Sequence, residues 1–343
     1  MDQWSCNMEK NVVVRLARRP RGLVTREDFD IREEPIPEPR EGEFRVRADY
    51  LSLDPAMRGW MNEGRSYVPP VGIGEVMRGY TVGRVDVSKH GDFKPGDAVV
   101  GLFGAQRYAI SNGNGVSRAD PRLAPLETWV GGLGMPGLTA YFGLLEVAQA
   151  REGDTVVVSA ASGAVGQVVG QIARIKGCRA VAIVGGPEKR RIALEEFGFD
   201  ACVDYKAGAL ADQLKDSCPQ GIDVDFENVG GEIFDTVLAQ MNRFGRVAVC
   251  GLISGYAATE PPPGLRDTRS ILVNRLRVQG FIVFDFASRY GEALKQLSEW
   301  YAAGKLRFRE DVRPGGLAAF PDVLNLLFTG GNTGKLVLKL DEQ

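Results

Sequence analysis

Short blocks of consecutive apolar residues recur through the second half of the chain, each followed by a turn and an amphipathic stretch. Thr155–Ser159, Arg179–Val184, Ala201–Tyr205, Ile222–Asn228, Arg246–Cys250 and Val278–Val283 read as strands, and Thr155–Ser159 suits a strand buried on both faces. After the first of them, Val165, Val168, Val169, Ile172 and Ile175 repeat at helical spacing until Lys176 and Gly177 close the segment. This alternation predicts a parallel, doubly wound sheet. The chain up to about residue 126 has a different rhythm. Phe44–Tyr50, Thr81–Val87, Ala98–Phe103 and Arg107–Ile110 are short segments separated by Pro, Gly and Asp turns, which predicts a mainly β domain. Lys335–Leu340, after Gly330-Gly331-Asn332-Thr333-Gly334, reads as another strand.

The junction between the first strand and its helix, Ser159 to Gly166, is rich in small residues and contains Ala160-x-x-Gly163-x-x-Gly166. A glycine-rich strand-to-helix turn lets backbone approach a pyrophosphate, and the free N–H groups and dipole of the helix attract its charge. Gly163, Ala164, Val165 and Gly166 are therefore candidate cofactor contacts. Small residues also occur where a helix merely packs closely on a sheet. About twenty residues on, where an NAD enzyme places an acid for the ribose hydroxyls, stand Gly185-Gly186-Pro187-Glu188-Lys189-Arg190-Arg191. The glycines leave room there, and Lys189 with the two arginines offers positive charge to a 2′-phosphate, favouring NADPH over NADH. The competing reading is a solvated first helical turn, although basic charge is unfavourable at a helix amino end. Ligands of such sheets lie beyond the carboxyl ends of the strands, so Tyr205, Asn228, Cys250, Phe281, Ile282 and Val283 are candidate cleft walls. Each of them also reads as ordinary loop or core.

Composition narrows the function classes. The chain has 343 residues, 44% hydrophobic and 25% charged, with a formal net charge of −2, which suits a two-domain globular enzyme. That balance, without a long basic run, argues against nucleic acid or an anionic membrane as partner. No apolar stretch approaches bilayer length and the first residues lack a charged-then-apolar leader, so the expected location is the cytoplasm. Five scattered cysteines and one histidine, His90 in a turn, give neither a disulfide framework nor the ligand pairs of a zinc site, and no metal is expected.

A leading β domain, a central nucleotide fold and a returning tail resemble the medium-chain dehydrogenase/reductase superfamily. Tyr50–Gly59 (YLSLDPAMRG), Gly134–Tyr141 (GMPGLTAY), Glu227–Gly231 (ENVGG) and Cys250–Tyr256 (CGLISGY) are similar to its zinc-free branch of leukotriene B4 dehydrogenase/prostaglandin reductases, plant 2-alkenal reductases and bacterial NADPH-dependent curcumin reductases. Ser66–Pro70 (SYVPP) leans towards the curcumin reductases. The resemblance runs from about Val12 to Leu340.

The resemblance implies a GroES-like catalytic domain from residues 1–126 and 304–343, a Rossmann NADPH-binding domain from 127–303, and a homodimer joined through the Rossmann sheets. It implies hydride transfer from NADPH to the β-carbon of an α,β-unsaturated ketone or aldehyde. Negative charge then moves onto the carbonyl oxygen, where a hydroxyl stabilises the enolate, and the α-carbon takes a proton from water or a tyrosine. By motif position Tyr256 is that hydroxyl, Tyr50 and Tyr67 line the substrate pocket, and Arg58 lies near its mouth or supports the loop. Gly163 to Gly166 fall on the pyrophosphate, Gly185, Lys189 and Tyr205 at the 2′-phosphate end, and Asn228, Cys250, Phe281, Ile282, Val283 and Asn332 along the remaining cofactor. Ala56 and Trp60 depart from the residues many relatives carry, and the irregular Tyr256–Arg266 loop is a candidate lid. A quinone reductase of the same fold, or a non-catalytic NADPH-binding protein, are the competing functions.

Overall fold

The computed structural model describes residues 9–260 and 264–340. Six parallel strands form one sheet, in the order Ala201–Asp204, Arg179–Val184, Thr155–Ser159, Ile222–Glu227, Met241–Val249, Arg277–Gly280. Chain order therefore reverses between Thr155–Ser159 and Ile222–Glu227, and the crevice at such a switch point is where doubly wound sheets bind ligands. Thr155–Ser159 is buried throughout, as its apolar run requires. Val168, Val169 and Ile172 of the Gly166–Ile175 helix pack on one face of the sheet, while Val157, Val181, Ile183, Phe234 and Val237 fill the other.

The second sheet is mainly antiparallel and runs Glu310–Arg313, Lys335–Lys339, Phe44–Ser52, Thr81–Ser88, Ala98–Gly101, Ser117–Arg118, with Tyr108–Ser111 also pairing to Phe44–Ser52. The tail thus returns to complete the leading β domain. Two strands unexpected from the sequence, Asn11–Leu16 and Phe29–Glu34, form a separate hairpin.

Strand ends differ from expectation where side chains take over the backbone. Tyr205 opens a 3₁₀ turn, because Asp204 accepts the Lys206 N–H, and the last strand stops at Gly280. Val283 begins a 3₁₀ helix, Val283–Arg289, and packs with Leu138, Phe142 and Ala293.

The tail is sewn to the helix after the glycine turn. Gln167 and Gln171 pair through their amides with the backbones of Arg309 and Arg307, like rungs of a ladder, at 2.8–3.2 Å. Gly163 bridges in parallel to Gly334, whose N–H donates to Ser162 O at 2.8 Å.

Candidate active site

The glycine turn is built by contact rather than by flexibility alone. Ala160 sits at φ +49°, a strained value for a side chain-bearing residue, and its carbonyl accepts the Gly163 N–H at 2.9 Å. A Cβ on Gly166 would lie 2.5 Å from Ala160 O and 2.7 Å from Ala161 Cα, both backbone atoms, so only glycine lets the helix begin this close to the strand. One on Gly163 would lie 3.1 Å from Ala160 O.

Further along the crevice, a Cβ on Gly185 would meet the Tyr205 ring at 2.7 Å, so glycine and tyrosine pack face to face there. Lys189 Nζ donates to Gly330 O at 3.0 Å, and burial, followed by the nearby Lys206 charge, holds its pKa down. Lys206 is a basic residue that reading the strand end alone passed over. Arg191 turns away, bonded to Glu188, Glu195 and Glu196.

Glu227, at the end of its strand, organises the middle of the cleft. Its Oε1 accepts Ser159 Oγ–H and Gly230 N–H, each at 2.8 Å, and also the Val229 N–H. Asn228 donates its N–H to Ser159 Oγ and its side-chain amide to Ser159 O, both at 2.7 Å. The Asn228-Val229 backbone in turn accepts the Ile253 and Ser254 N–H groups, which fixes the Cys250–Tyr256 segment above the sheet.

Two strand positions below Glu227, Asp225 is fully buried with neither carboxylate oxygen hydrogen-bonded to any described residue. Burial, then the neighbouring Glu227, raises its pKa well above the usual carboxylate range. Burial raises the Glu227 pKa as well, but the three donors that face it pull the other way, so Glu227 is the member of the pair that ionises more readily. A folded-state pKa above the unfolded value means that the folded chain holds a proton the unfolded chain releases. This group's contribution to stability is therefore full below about pH 4 and is lost as pH rises towards the folded pKa. Asp225→Val removes the buried acid without changing volume much. We expect it to stabilise the fold by on the order of 1–3 kcal/mol at pH 8 and by much less at pH 4, read from urea unfolding at both pH values. An equal change at both would argue that Asp225 is ionised in the fold.

The cleft of about 440 Å³ lies at the carboxyl end of Met241–Val249 and Arg277–Gly280. The nucleotide-sheet side contributes Cys250, Leu252, Tyr256, Phe281, Ile282 and Asp285, and the β domain contributes Ala56 and Tyr67. Tyr256 Oη accepts the Leu252 N–H at 3.2 Å, and burial raises its pKa, so it is a neutral phenol at physiological pH. Tyr67 Oη accepts the indole N–H of Trp60 at 3.0 Å. Its pKa is raised, first by burial, opposed by the Trp60 bond, with Tyr256 and Asp54 adding to the rise. Cys250, between them and Glu227, is pushed up to about 12 by burial and the Glu227 charge, and stays a thiol.

The expected residues do not all meet here. Tyr67, Tyr256, Cys250, Phe281 and Ile282 line the cleft, whereas Tyr50 and Val283 are not in its lining. Tyr50 packs against the main core from the β sheet, and Val283 lies in the core under its 3₁₀ helix. The side chain of Asn332 donates to Gly334 O at 3.1 Å inside its own turn, beside the glycine turn that Gly334 bridges. Arg58 is buried and supports the loop, donating to Gly22 O and Pro20 O at 2.8 Å. His90 is half-buried in its turn, edge-on to Phe44 and Phe93. Of the lid expected over Tyr256–Arg266, Pro261–Pro263 lie outside the described residues.

Comparison with known proteins agrees with this architecture. The family described as "N-terminal domain of oxidoreductase" matches residues 13–119, and "Zinc-binding dehydrogenase" matches residues 164–299. The chain is 45% identical to NADPH-dependent curcumin reductase of Escherichia coli over 95% of both chains. The chain belongs to the zinc-free branch of the medium-chain dehydrogenase/reductases. Within that branch it is also 39% identical to prostaglandin reductase 1 of Sus scrofa over 93% of this chain and 95% of that one. The crystal structure of CurA in complex with NADPH from Vibrio vulnificus superposes with a TM-score of 0.91 at 44% identity, covering 97% of this chain and 100% of that one. A Pseudomonas syringae quinone oxidoreductase at 19% identity and a TM-score of 0.77, covering 96% of this chain and 99% of that one, shares the fold alone.

Proposed function

We propose that the chain is an NADPH-dependent double-bond reductase of α,β-unsaturated ketones and aldehydes. The observation that carries this reading is the placement of Tyr256. Its phenol is neutral, its oxygen is already accepting a backbone N–H, and its own proton is free to be donated into the cleft at the carboxyl ends of the nucleotide-sheet strands. NADPH-linked curcumin reductase and prostaglandin reductase relatives support the chemistry.

The residues present fit the cofactor. The close strand-to-helix turn that Gly166 allows brings the N–H groups of Ala164, Val165 and Gly166 to the helix start, where they would face a pyrophosphate. Gly185, Lys189 and Tyr205 hold the 2′-phosphate end, with Lys206 adding charge. Cys250, Phe281 and Ile282 bound the nicotinamide end, and Asn228 and Asn332 act by shaping their loops. NADPH, when bound, supplies a hydride to the substrate β-carbon. As that C–H bond forms, the C=C electrons move towards the carbonyl, and the Tyr256 O–H stabilises the oxygen on which charge collects. The α-carbon is then protonated from water or a cleft tyrosine, giving the saturated ketone and NADP⁺.

The same reading divides the chain into a catalytic domain, 1–126 with 304–343, and a nucleotide domain, 127–303. It also takes the protein as a homodimer. The Arg277–Gly280 edge strand, paired on one side only among the described residues, and the exposed Leu272, Val273 and Phe244 support that assembly. A cytoplasmic location is supported by free Cys178, Cys202, Cys218 and Cys250.

The test is NADPH consumption with enones, an enal and a quinone, with product identification. Saturated ketone is expected, and Tyr256→Phe lowers kcat by roughly a hundredfold with little change in KM for NADPH. Turnover of quinone alone selects the quinone reductase, and no turnover with any acceptor selects the binding protein.

A further inference from the structure

Trp60 stands on the short Ala56–Trp60 helix, the element of the β domain that faces Ile253–Tyr256 across the cleft. It is only 6% exposed, and the Arg78 guanidinium lies 5.5 Å from its ring centroid. Arg78 is itself held by a 3.0 Å bond to Pro69 O, in the same loop as Tyr67. The indole N–H then has one described acceptor, Tyr67 Oη at 3.0 Å. A phenol oxygen that accepts such a bond keeps its own proton for a third group, and the group beside Tyr67 is whatever occupies the cleft.

We propose that Trp60 is a positioning residue that holds Tyr67 as a second hydroxyl donor to the substrate carbonyl, on the wall opposite Tyr256. This rests on the reductase reading above. Tyr67 is about half exposed and its ring neighbour is Phe284, 6.2 Å away between centroids, so the indole N–H is the described polar group that fixes where its hydroxyl points. The two phenols are then held alike, each by one N–H of its own domain, Leu252 for Tyr256 and Trp60 for Tyr67. One oxygen placed between them takes two hydrogen bonds only when the domains are set against each other.

A double-mutant cycle separates this from a packing role, since a residue that acts through Tyr67 has nothing left to act on once its hydroxyl is gone. Wild type, Trp60→Phe, Tyr67→Phe and the double variant are compared for kcat/KM with one enone at saturating NADPH, and for KM of NADPH. We expect about a fivefold loss for Trp60→Phe and about tenfold for Tyr67→Phe. The double variant is expected to be no worse than Tyr67→Phe, with KM for NADPH unmoved throughout. Multiplying losses, an unaffected Trp60→Phe, or a raised KM for NADPH overturns the proposal. Should Trp60→Phe fail to fold, the cycle is run with Trp60→His, and additive losses there overturn it equally. A wild type that reduces no enone overturns the reductase reading itself and takes this proposal with it, an outcome distinct from the others.

Discussion

Gly166→Ala is expected to raise the dissociation constant for NADPH at least a hundredfold, while Gly163→Ala raises it less than tenfold. The difference follows from where each added methyl would go. At Gly166 it meets Ala160 O at 2.5 Å and Ala161 Cα at 2.7 Å, and neither backbone atom can rotate away. The turn must open, and the helix start moves off the strand by a substantial fraction of an ångström. Displacements of about 1 Å at a binding constellation can cost on the order of a hundredfold. At Gly163 the contact is a single atom at 3.1 Å, which a small shift relieves. Titration of NADPH by its fluorescence, with far-ultraviolet circular dichroism to confirm folding, measures both. Equal losses would show that general flexibility of the turn, rather than close approach at Gly166, is what binding needs.

The same turn shows how far the sequence could be read. Thr155–Ser159 and Arg179–Val184 were legible to the residue, because a strand buried on both faces leaves an uninterrupted apolar run. The glycine spacing was legible because backbone contact admits no substitute. Val283 was misplaced for a related reason. An apolar run carries no mark of where its last residues leave the strand, and here Gly280 ends the ladder before Phe281 and Ile282 reach the cleft. Tyr50 lies on a β strand whose alternation says which residues share a face, not which face meets the cleft. The buried carboxyl pair of Asp225 and Glu227 was invisible as chemistry, since an acid in an apolar strand looks like an interruption until its neighbours in other strands are known. Trp60 was visible only as an unusual residue. Its meaning depends on Tyr67, seven positions later in a loop whose path no periodicity predicts.

Long-range charge pairing is the feature least open to sequence reading, and it carries the second large prediction. Lys335, 1% exposed, donates to Leu53 O and to Asp54 Oδ1, each at 2.7 Å, across more than 280 residues of chain. Asp54 also accepts the Ser52 hydroxyl, and its carboxylate remains partly open to solvent. The two partners are therefore not equivalent. Asp54→Ala leaves an ammonium in a dry site with one carbonyl for company, and burial alone already pulls the Lys335 pKa down. Breaking a buried pair this way costs about 3–5 kcal/mol. Lys335→Met leaves a carboxylate that water and Ser52 can satisfy, and the methionine fills much of the space of the lysine stem, so its cost is smaller. The ordering is distinctive: Asp54→Ala is the least stable variant, and adding Lys335→Met to it restores stability rather than lowering it further. Denaturant unfolding of the four proteins reads this directly, and a double variant less stable than Asp54→Ala would mean that the pair is held by packing and not by charge. The pair joins the Leu53–Asp54 turn, two residues before Ala56 of the cleft, to the strand that follows Gly334 on the glycine turn. Loss of the pair should therefore loosen the substrate wall and the cofactor turn together, so that KM for enone and KM for NADPH rise in the same variant.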